Sequence, residues 1–169
     1  MTLDYKILRP EELITFAREK EDEVIWDVTN GFEEHYESVI NEIFRIIVPN
    51  YIVVPVGSGG IFIGMAEAVE RRNNNTKIIG IGAQNTIRSF ADKLSTPWTP
   101  YERAMQHYQK LGHFLYRLNE EEIKNAYHNF KNVADCEPSS AVVFAAPTKH
   151  KFKADDKIVF VNSGKGLIG

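Results

Sequence analysis

The segment that most constrains the fold is an apolar run followed at once by a cluster of glycines. Tyr51–Val56 reads YIVVPV and residues 57–60 read GSGG. An uninterrupted apolar run of this length is typical of a strand buried on both faces of a parallel sheet, although Pro55 cannot donate to a strand ladder. A predicted helix over residues 61–72 and a second apolar run, residues 77–82, follow. This order predicts two parallel strands joined by a right-handed crossover.

The rest of the chain extends this unit into a layered fold. Apolar residues spaced three and four apart predict a helix over residues 32–48. Other helices are predicted over residues 10–20, 87–94, 100–111, 119–131 and 138–146, and other strands over 23–28, 114–117 and 157–161. The alternation predicts an α/β fold, an open, mostly parallel twisted sheet with helices on both faces, in a Rossmann-like three-layer arrangement. We expect residues 1–169 to form a single domain.

Composition limits the partners that such a domain can have. The 169 residues suffice for one domain, and 20 basic against 23 acidic side chains give a net charge of −3. Such a chain lacks the basic face that non-specific nucleic-acid binding needs, and no apolar stretch approaches the ~18 residues of a membrane span. Cys136 is the single cysteine, which excludes an intrachain disulfide and a cysteine-based zinc cluster. Together with an N-terminus that has no secretory apolar region, this predicts a cytoplasmic protein without nucleic-acid or membrane partners.

The glycine cluster is the first candidate site. Gly57, Ser58, Gly59 and Gly60 lie between a predicted buried strand and a helix, where backbone N–H groups and the positive end of the helix can face an anion. The Ser58 hydroxyl can add a donor. The motif lacks the third glycine of a dinucleotide fingerprint, and the chain has no Gly-Lys-Ser/Thr. It is therefore either a phosphate site without a lysine or only a tight strand-to-helix turn.

Ser163 is the second candidate, at the exit of the last predicted strand. Ligands of open α/β sheets bind beyond the carboxyl ends of the strands, where Gly57 and Ser163 both fall. The hydroxyl of Ser163 either faces a ligand, for example a ring nitrogen, or belongs to an ordinary polar turn. The histidines show no metal-binding spacing, and His113 beside Phe114 favours a structural role. We expect neither a metal site nor a GxSxG nucleophile.

Four segments, in order over residues 26–166, resemble one enzyme family. They are WDVTNGFEEHYESVINEIF, YIVVPVGSGGIFIGMAEAVERRNNNTKIIGIGAQ, LNEEEIKNAYHNFKNVADCEPSSAVVFAA and DKIVFVNSGKGLIG. Their succession resembles the fold-type-II pyridoxal-phosphate (PLP) enzymes, which include threonine synthase, threonine/serine dehydratases, the tryptophan synthase β-chain and cysteine synthases. The pattern is nearest to threonine synthase.

The resemblance implies a non-covalently held PLP and a role for each candidate site. Residues 57–60 would hold the cofactor phosphate, and Ser163 would share a hydrogen bond with the pyridine nitrogen. A hydroxyl at that place leaves the nitrogen largely unprotonated, as in the β-elimination and β-replacement chemistry of the family. Glu137 matches an acid whose role varies within the family, and it is given no catalytic role.

The resemblance also implies that the chain lacks a catalytic lysine. The lysine that forms the Schiff base in this family precedes the glycine loop. Only Lys6 and Lys20 precede it here, and neither has the family's Ser-x-Lys context. The chain would correspond to a C-terminal half without its lysine-bearing N-terminal half.

Three interpretations stay open at this point. The chain is half of a split or truncated enzyme that works with a lysine-bearing partner. Alternatively, it is an inactive relative that binds PLP, another small phosphorylated metabolite or a protein partner. The third interpretation is a piece of a longer enzyme. A second copy of the chain is an equally compatible partner.

Overall fold

The computed structural model describes residues 33–85, 88–96 and 101–165. Its helices are α1 (Tyr36–Ile46), α2 (Gly60–Arg71), α3 (Glu102–Lys110), α4 (Glu120–Phe130), α5 (Pro138–Ala141) and α6 (Ala146–Lys149). Its strands are β1 (Tyr51–Val56), β2 (Lys77–Ala83), β3 (Phe114–Leu118) and β4 (Ile158–Phe160), and 3₁₀ turns cover Glu33–His35, Asp92–Leu94 and Val142–Ala145. The helix predicted over residues 10–20 and the strand predicted over 23–28 lie outside the described residues.

The four strands form one parallel sheet in the order β3–β2–β1–β4. β1 pairs with β2 over its whole length, from Tyr51 opposite Lys77 to Val56 opposite Gly82. β4 pairs with only the first half of β1, beginning with Ile158 opposite Tyr51. The predicted parallel pair is thus confirmed, and the strand predicted over residues 114–117 is β3, at one edge of the sheet. Because all strands run the same way, their carboxyl ends meet at one edge of the sheet.

Helices cover both faces of this sheet, which confirms the predicted layers. Alternate side chains of a strand point to opposite faces. Ile52 and Val54 lie in a buried cluster with side chains of α1, α2 and α3. Val53 lies in a second buried cluster, formed with α4 and the turn Val142–Ala145. Each of these three β1 side chains is fully buried, so β1 is the centre of the core on both faces.

Pro55 is tolerated in this central strand because of its position relative to β4. The Val161 N–H donates to the Val53 carbonyl at 2.9 Å. In a parallel ladder the next bond of this pair would run from the N–H of residue 55 to the carbonyl of Val161. Proline has no N–H, so the pairing of β4 ends there. The chain leaves the sheet at this point and passes along the carboxyl edge.

Two predicted helices are wrong in their extent. The helix predicted over residues 138–146 is divided into α5, the turn Val142–Ala145 and α6. Pro147, near the start of α6, lacks the N–H that a continuous helix would need there. Within the described part of the helix predicted over residues 87–94, the structure has only the turn Asp92–Leu94.

Side-chain contacts fix the start of α4 and confirm the structural role predicted for His113. Asn119 and Glu122 form the capping box of α4, since each side chain accepts a hydrogen bond of 2.9 Å from the other residue's N–H. His113 is buried, and its Nδ1 accepts the Ile78 N–H at 2.9 Å while its Nε2 lies 3.0 Å from Glu70 Oε1. No helix of the described ranges has the length and apolar character needed to cross a membrane.

Candidate functional site

The glycine loop and Ser163 line one cavity at the carboxyl edge of the sheet. Its volume is about 500 Å³. Small-molecule sites commonly have roughly 300–1,000 Å³. All of the residues that the sequence singled out, Gly57, Ser58, Gly59, Gly60 and Ser163, are on its wall. The tertiary structure therefore brings together two segments that are more than a hundred positions apart in the chain.

Gly59 has a backbone conformation that favours glycine. It is the N-cap of α2, with φ 110° and ψ −13°. A Cβ at this position would lie 2.9 Å from Met105 Sδ and 3.3 Å from Tyr101 Cβ. Its carbonyl accepts the Ile63 N–H at 3.0 Å, which begins the helix.

The N-terminus of α2 supplies the donors of this end of the cavity. The first N–H groups of an α-helix have no acceptor within their own helix, and the helix dipole makes that end positive. α2 has no side-chain cap, since its N-cap is a glycine. Gly57 brings the loop close to the turn Asp92–Leu94, because a Cβ there would lie 3.2 Å from the Lys93 carbonyl oxygen. The loop thus presents neutral backbone donors, and Ser58 lines the cavity beside them. Such a donor set suits a phosphate monoester.

A pair of hydroxyls forms another part of the cavity. Ser163 Oγ lies 2.9 Å from Ser140 Oγ in α5, and Ser140 is fully buried. The Glu137 N–H donates to the Gly164 carbonyl at 3.1 Å, which attaches the turn after β4 to the start of α5. A hydroxyl both donates and accepts, so the pair can hydrogen-bond a neutral ring nitrogen.

Lys93 is a cavity residue that the sequence analysis missed, and Glu137 is one to which it gave no role. The Lys93 Nζ forms an ion pair with Glu137 Oε2. The Lys93 side chain is 56% exposed, whereas that of Glu137 is only 12% exposed. The two residues are 44 positions apart. No local sequence pattern marks Lys93 as a cavity residue. The only sequence signal for this pair was that Glu137 matches an acid found in the family.

Tyr36 of α1 also lines the cavity. Burial, followed by the nearby charge of Glu33, raises the pKa of the Tyr36 phenol above its ordinary value. Tyr36 is therefore a protonated hydrogen-bond donor at neutral pH. Among residues 33–85, 88–96 and 101–165, no group of three or more His, Cys, Asp or Glu side chains is placed to hold a metal ion.

These features define an α/β domain with a cavity of small-molecule size at the carboxyl edge of its parallel sheet. Its glycine loop and hydroxyl pair offer the hydrogen-bonding groups that the phosphate and the ring nitrogen of PLP would require. The chain belongs to the pyridoxal-phosphate dependent enzyme family, whose sequence model matches residues 14–164. The resemblance seen in the sequence is thereby confirmed at the level of the family.

Solved structures of this class share the fold. Maize serine racemase is 18% identical with a TM-score of 0.71, and the match covers 94% of this chain and 57% of that chain. The threonine deaminase of T.th. is 20% identical with a TM-score of 0.64, over 82% of this chain and 57% of that chain. Serine racemase from Dictyostelium discoideum is 22% identical with a TM-score of 0.60, over 78% of this chain and 50% of that chain. This chain thus matches between 50% and 57% of the length of these structures. A search of curated protein sequences found no match.

Proposed function

We propose that this chain binds PLP, with the phosphate at residues 57–60 and the pyridine nitrogen at Ser163. The observation that carries the proposal is that the glycine loop and Ser163 line the same cavity. When bound, the cofactor supplies an electron-accepting ring for the chemistry of amino acids. The residues of the chain bind and orient it.

At the phosphate end, the chain uses neutral donors. The N–H groups at the start of α2 and the Ser58 hydroxyl surround the anion, and the helix dipole stabilises its charge. The φ of 110° at Gly59 turns the backbone into the helix at this point. Glycines at this loop let the ligand approach the backbone closely, because no Cβ stands between them.

At the ring end, the chain offers a hydroxyl in place of an acid. Ser163 Oγ is held by its 2.9 Å contact with Ser140 Oγ and donates to the ring nitrogen. A hydroxyl does not stabilise a protonated nitrogen as a carboxylate does. This favours β-elimination or β-replacement chemistry, and it supports the narrower proposal of a threonine synthase-like lyase or synthase.

We further propose that this chemistry requires a lysine-bearing segment besides the residues described. The proposal is supported by the extent of the matches, which reach at most 57% of the three structures compared above. The lysine-bearing half is the partner that we propose first, and a second copy of the chain is the alternative. The cytoplasmic location expected from the sequence is part of the same proposal.

Titration calorimetry with pyridoxine 5′-phosphate tests the binding site, because this compound has the ring and the phosphate but no aldehyde. We expect saturable binding that inorganic phosphate competes away, and much weaker binding of pyridoxine. Equal affinity for glycerol phosphate would indicate a binding module for small phosphorylated metabolites. Absence of binding by pyridoxine 5′-phosphate and by inorganic phosphate would refute the assignment of the glycine loop.

A further inference from the structure

We propose that Arg117 is a built-in cation of the glycine-loop site, whose positive charge stabilises a phosphate held at residues 57–60 without touching it. The site would therefore select dianionic phosphate esters over monoanionic esters of the same shape. This proposal rests on the proposed function, since a phosphate must first bind at the loop. It adds a charged group to a set of loop donors that is otherwise neutral.

The side chain of Arg117 reaches from the edge strand β3 to the end of the central strand β1. Arg117 lies opposite Gly82 of β2, and Gly82 in turn lies opposite Val56, the last residue of β1. A Cβ at Gly82 would lie 2.6 Å from Arg117 Nη1 and 2.9 Å from the Val56 carbonyl oxygen. The guanidinium therefore occupies the space that the missing side chain of Gly82 leaves, close to the residue that precedes the glycine loop.

The charge of this guanidinium has no acidic partner within the described ranges. Arg117 is half-buried, and its hydrogen bond to the described part of the chain runs from Nη1 to the Ala83 carbonyl at 3.3 Å. Burial lowers the pKa of Arg117, and no carboxylate of the described residues opposes this effect. A charged group withdrawn from water without a partner of opposite charge is costly for the folded chain. A ligand anion at the neighbouring loop would offset this cost.

The two lysines on the cavity wall, in contrast, are paired with acids. Lys93 forms an ion pair with Glu137, and Lys165 Nζ lies 4.0 Å from Asp135 Oδ2. Each of these acids reduces the field that its lysine exerts on a ligand. Arg117 stays ionised at neutral pH, because a guanidinium does not lose its proton in proteins. Its field at the end of β1 is therefore not cancelled by a neighbouring carboxylate of the described residues.

The expected effect follows from Coulomb's law. The attraction between one cation and an anion doubles when the charge of the anion rises from one to two. For charges about 10 Å apart, which is two strand spacings, and an effective dielectric constant of about 50, each ligand charge changes the affinity roughly threefold. Loss of the Arg117 charge should therefore weaken the binding of a dianion by roughly tenfold and that of a monoanion by roughly threefold. A change in packing alone would weaken the binding of both by the same factor.

Titration calorimetry at low ionic strength compares pyridoxine 5′-phosphate with pyridoxine 5′-sulfate. The two esters have nearly the same shape, but at about pH 7.5 the phosphate is mostly a dianion and the sulfate is a monoanion. We expect the unaltered chain to prefer the phosphate. Arg117→Gln removes the charge and should reduce this preference by roughly threefold, whereas Arg117→Lys keeps the charge and should retain most of the preference.

Arg45→Gln is the matched control for the loss of one positive charge. Arg45 is exposed in the last turn of α1, which precedes the amino end of β1, whereas the glycine loop follows the carboxyl end of that strand. This variant should leave both affinities unchanged. Urea unfolding of each variant confirms that the chain used in the titration is folded.

The preference of the unaltered chain decides the outcome even where a variant fails to fold. Equal affinity for the two esters would overturn the proposal, while the proposed function would stand because the phosphate ester still binds. The proposal would also be wrong if Arg117→Gln kept the full preference, or if Arg117→Lys lost as much of it as Arg117→Gln. If the unaltered chain binds neither ester, both proposals are wrong.

Discussion

Replacing Gly59 by aspartate should abolish phosphate binding at the glycine loop, and replacing it by asparagine separates the effect of charge from that of shape. Both side chains have nearly the same size, and both residue types tolerate a left-handed backbone better than most. At φ 110° an L-residue is strained, and such strain costs roughly 1–3 kcal/mol. The new Cβ would also lie 2.9 Å from Met105 Sδ, but a thioether end can move. The two variants should therefore lose similar stability.

The difference between the two variants lies in the electrostatic effect on the ligand. With an effective dielectric constant of about 20, two unit charges about 5 Å apart repel by about 3 kcal/mol. That corresponds to an affinity at least about 10²-fold weaker, at about 1.4 kcal/mol for each factor of ten. The repulsion should weaken the binding of a phosphate dianion more than that of a monoanion.

Calorimetry with pyridoxine 5′-phosphate at low ionic strength measures this difference, and urea unfolding of both variants confirms that they fold equally well. Added salt should reduce the gap between the variants, because exposed charges are screened. If Gly59→Asp binds within about threefold of Gly59→Asn, far below the factor expected from the charge repulsion, then no phosphate lies at this loop.

Three further changes test the core and the cavity. Burial, followed by the charge of Lys77, lowers the pKa of His113, so the folded chain resists a proton that the unfolded chain takes up below about pH 6.5. The free energy of unfolding should therefore fall between pH 7 and 5, and fall less in His113→Asn, as measured by urea unfolding. Gly64→Ala should destabilise the chain by about 1–3 kcal/mol in the same assay, because its Cβ would lie 2.2 Å from the Glu33 carbonyl oxygen. Ser163→Ala should weaken the binding of pyridoxine 5′-phosphate by about tenfold, which is the contribution of one hydrogen bond. The same change should leave the binding of inorganic phosphate unaffected, as measured by calorimetry.

Each of these three predictions has a result that would contradict it. Parallel pH profiles of the wild-type chain and His113→Asn would show that His113 does not carry the acid sensitivity. A Gly64→Ala chain as stable as the wild type would mean that α2 can move away from the turn Glu33–His35. An equal loss of both ligands in Ser163→Ala would place Ser163 at the phosphate and not at the ring.

Local sequence sufficed to predict the unit that builds the glycine-loop end of the cavity. The apolar run of β1, the glycines 57–60 and the periodicity of α2 are adjacent in the chain, so each signal is read in its own window. The same holds for the capping box of α4, whose two partners are three positions apart. The succession of such signals was also enough to indicate the family and the three-layer fold.

The tertiary structure decided the rest of the site, because it depends on contacts between distant segments. Lys93 and Glu137 are in contact although they are 44 positions apart in the chain. The turn Asp92–Leu94 and the helix α5 are too short to have a periodic pattern that would predict this contact. The point at which β4 ends also depends on the neighbouring strand β1. Pro55 of β1 lacks the backbone N–H that would donate the next hydrogen bond of the ladder. These contacts form because the strands of the sheet β3–β2–β1–β4 are all parallel, so that every strand's carboxyl end lies at one edge. Hydrophobic patterns predict which faces are buried, but a polar pair that meets in a cavity has no pattern of its own until the fold has formed.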